Sequence, residues 1–172
     1  MGTRVVSRQK GNGAEREVAK LLEAWWQTYE PDARFVRTPL SGGWGGPTLR
    51  GDFGAAGDLM TTSKEFPFAV EVKRREGWTW ERLLAGKPSP VWDWWRQAQE
   101  QADEMQKIPT LWIRKNREKV WRVILPAKEL ALWDVEPEHT WNMAWLNVGE
   151  TPAVLSAPSL FELEPVRVLV TF

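Results

Sequence analysis

Two charged residues interrupt an apolar segment of the chain and suggest a reactive site. Residues 66–75 read FPFAVEVKRR, and in this run Glu71 and Lys73 alternate with valines. Because side chains alternate between the two faces of a strand, Glu71 and Lys73 point the same way. Asp58 opens the preceding segment, and the short polar turn TSKE favours an antiparallel hairpin. The pattern predicts two carboxylates and one ammonium group at one end of a sheet.

The chemistry that suits these groups is metal-dependent hydrolysis. Asp58 and Glu71 can bind a hard cation such as Mg²⁺ or Mn²⁺, with the backbone carbonyl of Val72 and water completing an octahedron. Such a cation polarises a phosphoryl oxygen and lowers the pKa of bound water. Lys73 would orient that water or neutralise the transition state. Glu15, at the edge of the apolar arc of a predicted helix, could reach the same site and bind a second metal ion.

Simpler interpretations compete with this one. Glu71 and Lys73 could form only a surface ion pair. Asp52 competes with Asp58 as the second carboxylate, but it lies in a glycine-rich loop with no strand to fix it. Ser41, in the same loop, could be a turn residue or could contact a phosphate. No histidine stands near Ser41 in the sequence, which argues against a serine hydrolase.

Composition narrows the possible functions. The 172 residues contain no cysteine and one histidine, His139, which excludes disulfides, thiolate zinc sites and multi-histidine metal sites. The net charge is zero, but residues 1–125 hold 21 Lys and Arg against 16 Asp and Glu, whereas residues 126–172 hold 2 against 7. The basic part is where a polyanion would bind. No apolar run is long enough to span a membrane or to form a signal peptide, so we expect an intracellular, cytoplasmic protein.

The predicted elements give an α/β fold with a central mixed sheet flanked by helices. Three regions are expected: a flexible basic arm at 1–13, a core at 14–125 with a tryptophan-rich insert at 77–91, and a C-terminal extension at 126–172. The individual elements are helices at about 14–29, 92–107 and 127–133, strands at about 33–39, 58–62, 66–74, 110–115, 119–125 and 166–172, and a long glycine-rich loop between Leu40 and Gly57.

Five motifs in order resemble the PD-(D/E)XK nuclease superfamily, and the match is closer still to archaeal-type Holliday junction resolvases. The motifs are KGNGAERE, FVRTPLSGG, GDLM, EVK and RQAQEQADEM, which together span about residues 8–115. Gly57 stands where that family has a proline, and neither the insert nor the C-terminal extension has a counterpart that we can assign. The resemblance implies a restriction-endonuclease-like core.

The resemblance also implies roles for individual residues. Glu15, Asp58, Glu71 and Lys73 match the catalytic carboxylates and lysine, and Ser41 matches a loop serine that supports cleavage. Basic runs at 73–75 and 114–119 would follow the DNA backbone on such a scaffold. The expected DNA-binding residues are Arg4, Arg8, Lys10, Arg16, Arg37, Arg74, Arg75 and Gln97.

The function expected from this resemblance is magnesium-dependent resolution of four-way DNA junctions by paired symmetric nicks. A junction has two-fold symmetry, so a C2 homodimer with two active sites fits it. Recognition would depend on branched shape and phosphates, because no base-reading motif is present. Two alternatives remain: another PD-(D/E)XK nuclease acting on flaps, ends or duplex DNA, and a non-catalytic protein that binds branched DNA.

Overall fold

The computed structural model describes residues 3–38, 54–140 and 151–169. Helices and strands alternate along the chain, as an α/β fold requires. In chain order the elements are α1 (Thr3–Trp26), β1 (Phe35–Arg37), β2 (Gly54–Ala56), β3 (Leu59–Thr61), β4 (Phe68–Arg74), α2 (Trp80–Leu84), α3 (Pro90–Met105), β5 (Ile108–Arg114), β6 (Arg122–Pro126), α4 (Ala127–Leu132), β7 (His139–Thr140), β8 (Pro152–Ser156), α5 (Ala157–Phe161) and α6 (Pro165–Leu169).

The central sheet has five strands in the order β4-β5-β6-β8-β7. β4 and β5 are parallel, and the other neighbours are antiparallel. α3 makes the crossover that a parallel pair needs. A second sheet, β1-β3-β2, is small and antiparallel. The predicted mixed sheet flanked by helices is therefore confirmed.

Two apolar clusters cover opposite faces of the central sheet. One joins α1, α5 and α6 to side chains that include Val70, Val72 and Trp112. The other joins the insert and α3 to Leu111 and Ile113. Since β4 and β5 are buried on both faces, their continuous apolar runs are typical of a parallel pair. β4 lies at the edge of its sheet, so one of its long sides remains open to the small sheet.

Several predicted elements are confirmed and one boundary is wrong. α3, α4 and the β5–β6 hairpin lie close to their predicted positions. The first helix begins at Thr3 rather than at Ala14, so the backbone of residues 3–13 is helical where an arm was expected. The glycines at 11 and 13 suggested a break, but a glycine costs only about 1 kcal/mol in a helix that is already formed.

The C-terminal strand prediction is wrong for the described part of that segment. Residues 165–169 form α6, in which Pro165 and Val168 are buried while Val166 and Arg167 are exposed. Burial at positions i and i+3 is the pattern of a helix, whereas the alternating valines of VRVLV indicated a strand. β8 and α5, and β2 at the end of the glycine-rich loop, were not predicted.

The predicted hairpin between the Asp58 segment and β4 is also wrong. β3 pairs with β1 and β2, and β4 pairs with β5. The two segments meet instead at a single parallel bridge between Gly57 and Val70. β4 is apolar on both faces and takes an equally apolar neighbour in β5, which leaves only its open edge for the Gly57 segment. No helix among the described residues is long and apolar enough to cross a membrane.

Candidate active site

Asp58 is held in place by backbone contacts on both sides. Its own N–H donates to the carbonyl of Val70 at 2.7 Å, and its carbonyl accepts from the N–H of Thr38 at 2.7 Å. Its carboxylate accepts at Oδ2 from the N–H of Val72 at 2.9 Å. Asp58 therefore lies against the open edge of β4 without belonging to the same sheet, and the predicted convergence with Glu71 occurs by a different route.

Gly57 allows this approach. Its φ is +77°, and a Cβ added there would lie 2.5 Å from the carbonyl oxygen of Val70 and 2.8 Å from its nitrogen. Real side chains do not tolerate such distances to backbone atoms. Thr38 fixes the same turn, because its hydroxyl donates to the carbonyl of Gly57 at 2.9 Å. A glycine is thus required at position 57 both by conformation and by space.

Glu71 is almost fully buried and is paired with Lys73. The residue is 1% exposed, and its carboxylate Oε1 accepts from the Lys73 ammonium in a short ion pair. Oε2 is buried and has no hydrogen-bond partner among the described residues. Burial raises the pKa of Glu71 to about 7, and the nearby Asp58 charge adds to the increase while Lys73 opposes it. The surface ion-pair interpretation does not fit a carboxylate so deeply buried.

The other two carboxylates of the site are electrostatically linked to Glu71. Burial raises the pKa of Asp58, against the opposing effects of the Val72 N–H and the Lys73 charge. Burial, and then the charge of Asp58, raise the pKa of Glu15. Glu15 Oε2 accepts from Arg37 Nη1 at 3.1 Å, which opposes part of that increase. Glu15, Asp58 and Glu71 therefore repel one another across one small region.

The oxygen ligands of this region fit a hard divalent cation held largely by water. Among the described residues, no three carboxylate or imidazole side chains lie close enough to hold a metal ion by themselves. Mg²⁺, however, is commonly bound through only one or two carboxylates and keeps several waters. The buried Oε2 of Glu71, which lacks a partner, and the carboxylate of Asp58 suit that mode. A metal-binding role for Glu15 and for the Val72 carbonyl remains a prediction.

Some of the predicted DNA-binding residues are bonded to other groups within the protein. Arg37 is engaged with Glu15, and Arg74 donates to the carbonyl of Asn116 at 3.1 Å. The remaining predicted DNA-binding residues are Arg16, Arg75 and Gln97, which are exposed, and Arg4, Arg8 and Lys10, which lie in α1 but whose side chains are not described. Ser41, which was predicted to support cleavage, lies outside the described residues.

Sequence reasoning missed an ion pair between the buried Arg114 and the partly exposed Glu17. Arg114, 6% exposed, donates to both carboxylate oxygens of Glu17 at 2.7 and 2.6 Å, and its guanidinium lies 4.3 Å from the ring centre of Trp121. The Trp121 indole donates to Glu17 as well, at 3.2 Å. The pKa of Glu17 is lowered: partial burial raises it, but the bonds from Arg114 and Trp121 and the charge of Arg74 outweigh that effect. Arg114 had been assigned to a basic run that follows DNA, and no sequence signal links it to Glu17.

Comparison with known families supports the nuclease interpretation. A family model described as "Phage putative PDDEXK endonuclease" matches residues 6–151 of this chain, which is most of its length. The matched range contains Glu15, Asp58, Glu71 and Lys73. No curated protein and no solved structure matched the chain.

The tight contact at Gly57 predicts a large effect of adding one methyl group. Gly57→Ala should lower the free energy of unfolding by at least about 3 kcal/mol, because a positive φ and a clash with the Val70 backbone act together. Gly77→Ala is the matched control: Gly77 has a φ of +91° but no atom within 4 Å of an added Cβ. It should cost only about 1–2 kcal/mol. Urea denaturation measures both, and equal losses would show that the close approach is not a constraint.

The raised pKa of Glu71 predicts how the stability of the metal-free protein depends on pH. A carboxyl whose pKa is 4.5 when unfolded and about 7 when folded holds its proton more tightly in the folded state. Its stabilising contribution is therefore complete below pH 4.5 and is lost as the pH rises through 7. Each such proton contributes up to about 1.4 kcal/mol per pH unit, and Asp58 and Glu15 act in the same direction.

Thermal unfolding between pH 5 and 8, in the presence of a chelator, tests this prediction. The melting temperature should fall across that range in the wild type and fall less steeply in Glu71→Gln. Glu17→Gln is the control, because the lowered pKa of Glu17 keeps it ionised throughout this range. That variant should be less stable at every pH, with a curve parallel to the wild type. A Glu71→Gln curve that is also parallel would contradict the prediction.

Proposed function

We propose that this chain, which belongs to the phage putative PDDEXK endonuclease family, is a divalent-metal-dependent endonuclease that cuts four-way DNA junctions by paired nicks as a homodimer. The observation that carries the nuclease chemistry is the burial of Glu71, bonded to Lys73 and next to Asp58, with one carboxylate oxygen left without a partner. Four-way junctions are proposed as the substrate because the sequence motifs resemble those of junction resolvases.

The residues of the chain would divide the chemistry as follows. Asp58 and Glu71 would hold the cation, and the N–H of Val72 would fix the orientation of the Asp58 carboxylate. When bound, the cation supplies Lewis-acid polarisation of the phosphate and acidifies water. Lys73 would exchange its bond to Glu71 for a bond to the attacking water or to a phosphate oxygen, because the cation neutralises the carboxylates.

Glu15 and Arg37 would adjust the charge beside that centre. Partial burial, and then the nearby charge of Asp58, raise the pKa of the Glu15 carboxylate. Arg37 shares the charge of Glu15 through a 3.1 Å ion pair. A phosphate entering the site would compete with Glu15 for Arg37, and Glu15 would then be available to bind water on a second cation. This exchange would couple substrate binding to completion of the site.

Cleavage of a defined set of substrates tests the proposal. Four-way junctions, flaps and plain duplexes of equal length should be compared in Mg²⁺, Mn²⁺ and chelator. A cruciform plasmid adds a test for pairing, because two nicks within one encounter give linear product whereas independent nicks give open circles. We expect metal-dependent cleavage, preference for junctions and linear product. Preference for flaps or duplex would reassign the substrate, and cleavage in chelator would remove the metal from the mechanism.

Single substitutions test the assignment of residues. Asp58→Asn and Glu71→Gln should each lower the cleavage rate by roughly 10²–10³-fold or more, because they remove charge aimed at the cation. Lys73→Ala should also lose cleavage but should keep more of the metal affinity. Junction binding, measured by gel shift in Ca²⁺ or chelator, should survive in all three variants. Binding that falls as much as cleavage would contradict the assignment.

Glu15 is predicted to serve the site at a cost to the fold. Glu15→Gln removes a desolvated charge and its repulsion with Asp58, so the melting temperature should stay the same or rise while cleavage falls at least about tenfold. Glu23→Ala is the control on the same helix, because Glu23 accepts from the N–H of Phe35 at 2.7 Å and is eight residues, or about 12 Å along the helix, from Glu15. That variant should lose about 1 kcal/mol of stability and keep its cleavage rate. A destabilised Glu15→Gln variant with normal cleavage would make Glu15 structural.

A further inference from the structure

Two segments leave the central sheet side by side at the carboxyl ends of β4 and β5, where Lys73 lies. β4 and β5 are parallel, so their carboxyl ends lie at the same end of the sheet, with Arg74 opposite Arg114 in register. Just beyond, the N–H of Arg75 donates to the carbonyl of Arg114 at 3.2 Å. Residues 75–87, from the tryptophan-rich insert, and residues 115–119, from the β5–β6 turn, together form what we call the insert–turn surface.

Side-chain bonds join the two halves of the insert–turn surface. The Trp78 indole donates to the carbonyl of Arg75 at 2.9 Å, and the Lys115 ammonium lies 5.0 Å from the ring centre of Trp78. The Trp80 indole donates to Glu118 Oε1 at 3.1 Å. The rings of Trp78 and Trp80 pack edge to face at 4.7 Å. The insert is therefore fixed to the turn, and the two segments present one surface.

The acidic side chains of this surface are used within it. Glu76 accepts from the N–H of Asn116 at 2.8 Å, and Glu118 accepts from the N–H of Lys115 at 3.1 Å. Glu81 lies in the first turn of α2, where the helix end stabilises its negative charge. Two of the three carboxylates, those of Glu76 and Glu118, therefore accept hydrogen bonds from within the surface.

Lysines and arginines outnumber the carboxylates on this surface. The two segments hold six Lys and Arg against three Glu, although the whole chain is neutral. Arg117 and Lys119 are exposed on the turn, and Arg82 and Lys87 are exposed on the insert. Arg75, where this surface begins, is two residues from Lys73, or about 7 Å along an extended strand. That distance is about the length of two base pairs of DNA.

We propose that the insert–turn surface binds the phosphate backbone of the DNA arm next to the scissile phosphate. This inference rests on the proposed nuclease function and assigns a role to an insert that the motif resemblance does not cover. Arg117 and Lys119 contact phosphates, while Trp78 and Trp80 hold the surface rigid. Because phosphate contacts carry no base information, the surface positions the substrate without reading its sequence.

Fluorescence anisotropy with a labelled duplex, in chelator and at several salt concentrations, tests the proposal. The double variant Arg117→Gln/Lys119→Gln should reduce the slope of log affinity against log salt by about 1.8, since each phosphate contact contributes about 0.9. Its Kd at 50 mM salt should rise at least about tenfold. The matched control is Lys64→Gln/Arg167→Gln, which removes two exposed cations that precede β4 or lie in α6, away from this end of the sheet. The control should bind like the wild type.

Distinct outcomes separate this proposal from the proposed function. Unchanged affinity and salt slope in the Arg117→Gln/Lys119→Gln variant would overturn the surface, even if the wild type cleaves DNA. An equal loss in the control would also overturn it, because binding would then depend on total charge rather than on this surface. A wild type that cleaves no DNA with any divalent cation would instead overturn the nuclease function, and the binding comparison would still decide whether this surface holds DNA.

Discussion

The site depends on the close approach of the Gly57–Asp58 backbone to Val70. One parallel bridge attaches the small sheet to the open edge of β4, and the N–H and carboxylate of Asp58 extend that contact to Val70 and Val72. The φ of +77° at Gly57 is inaccessible to proline, whose ring fixes φ near −65°. A residue with a Cβ therefore cannot occupy position 57 without shifting the contact that holds Asp58 against β4.

This contact forces carboxylates together in a poorly solvated place. Burial raises the pKa of Glu71, Asp58 and Glu15, so each is less stable as an anion here than in water. Lys73 and Arg37 compensate only in part, and one oxygen of Glu71 has no partner among the described residues. A fold selected for stability alone would not keep this arrangement, because removing a buried charge often stabilises a protein. A cation bound between these carboxylates, as proposed, would offset their mutual repulsion, so the stability of the fold and the proposed chemistry would depend on the same charges.

The parts of this structure that could be predicted from sequence are those that local periodicity determines. The apolar arc of α1, the position of Glu15 beside it, α3 and the β5–β6 hairpin all follow from spacing within short windows. The meeting of Asp58 with Glu71 was predicted from a hairpin that does not exist. β4 and β5 pair although the insert and α3 separate them in the sequence, and no local pattern favours this pairing over a hairpin. For residues 165–169 a local pattern was present but misleading, because burial in the folded protein favours a helix over the strand that their valines indicated.

The pairing of Glu17 with Arg114 was beyond prediction because the residues are 97 positions apart and each has ordinary local surroundings. Glu15 and Glu17 are roughly 160° apart around α1, so they lie on opposite sides of its axis. One side is bonded to Arg37 beside the charged site, and the other to Arg114 at the end of β5 and Trp121 just before β6. Arg114 is in register with Arg74, the residue after Lys73, and Glu17 offsets the positive charge of both. The helix is thereby fixed against rotation relative to β4, and this rotation is the motion that would carry Glu15 away from Asp58.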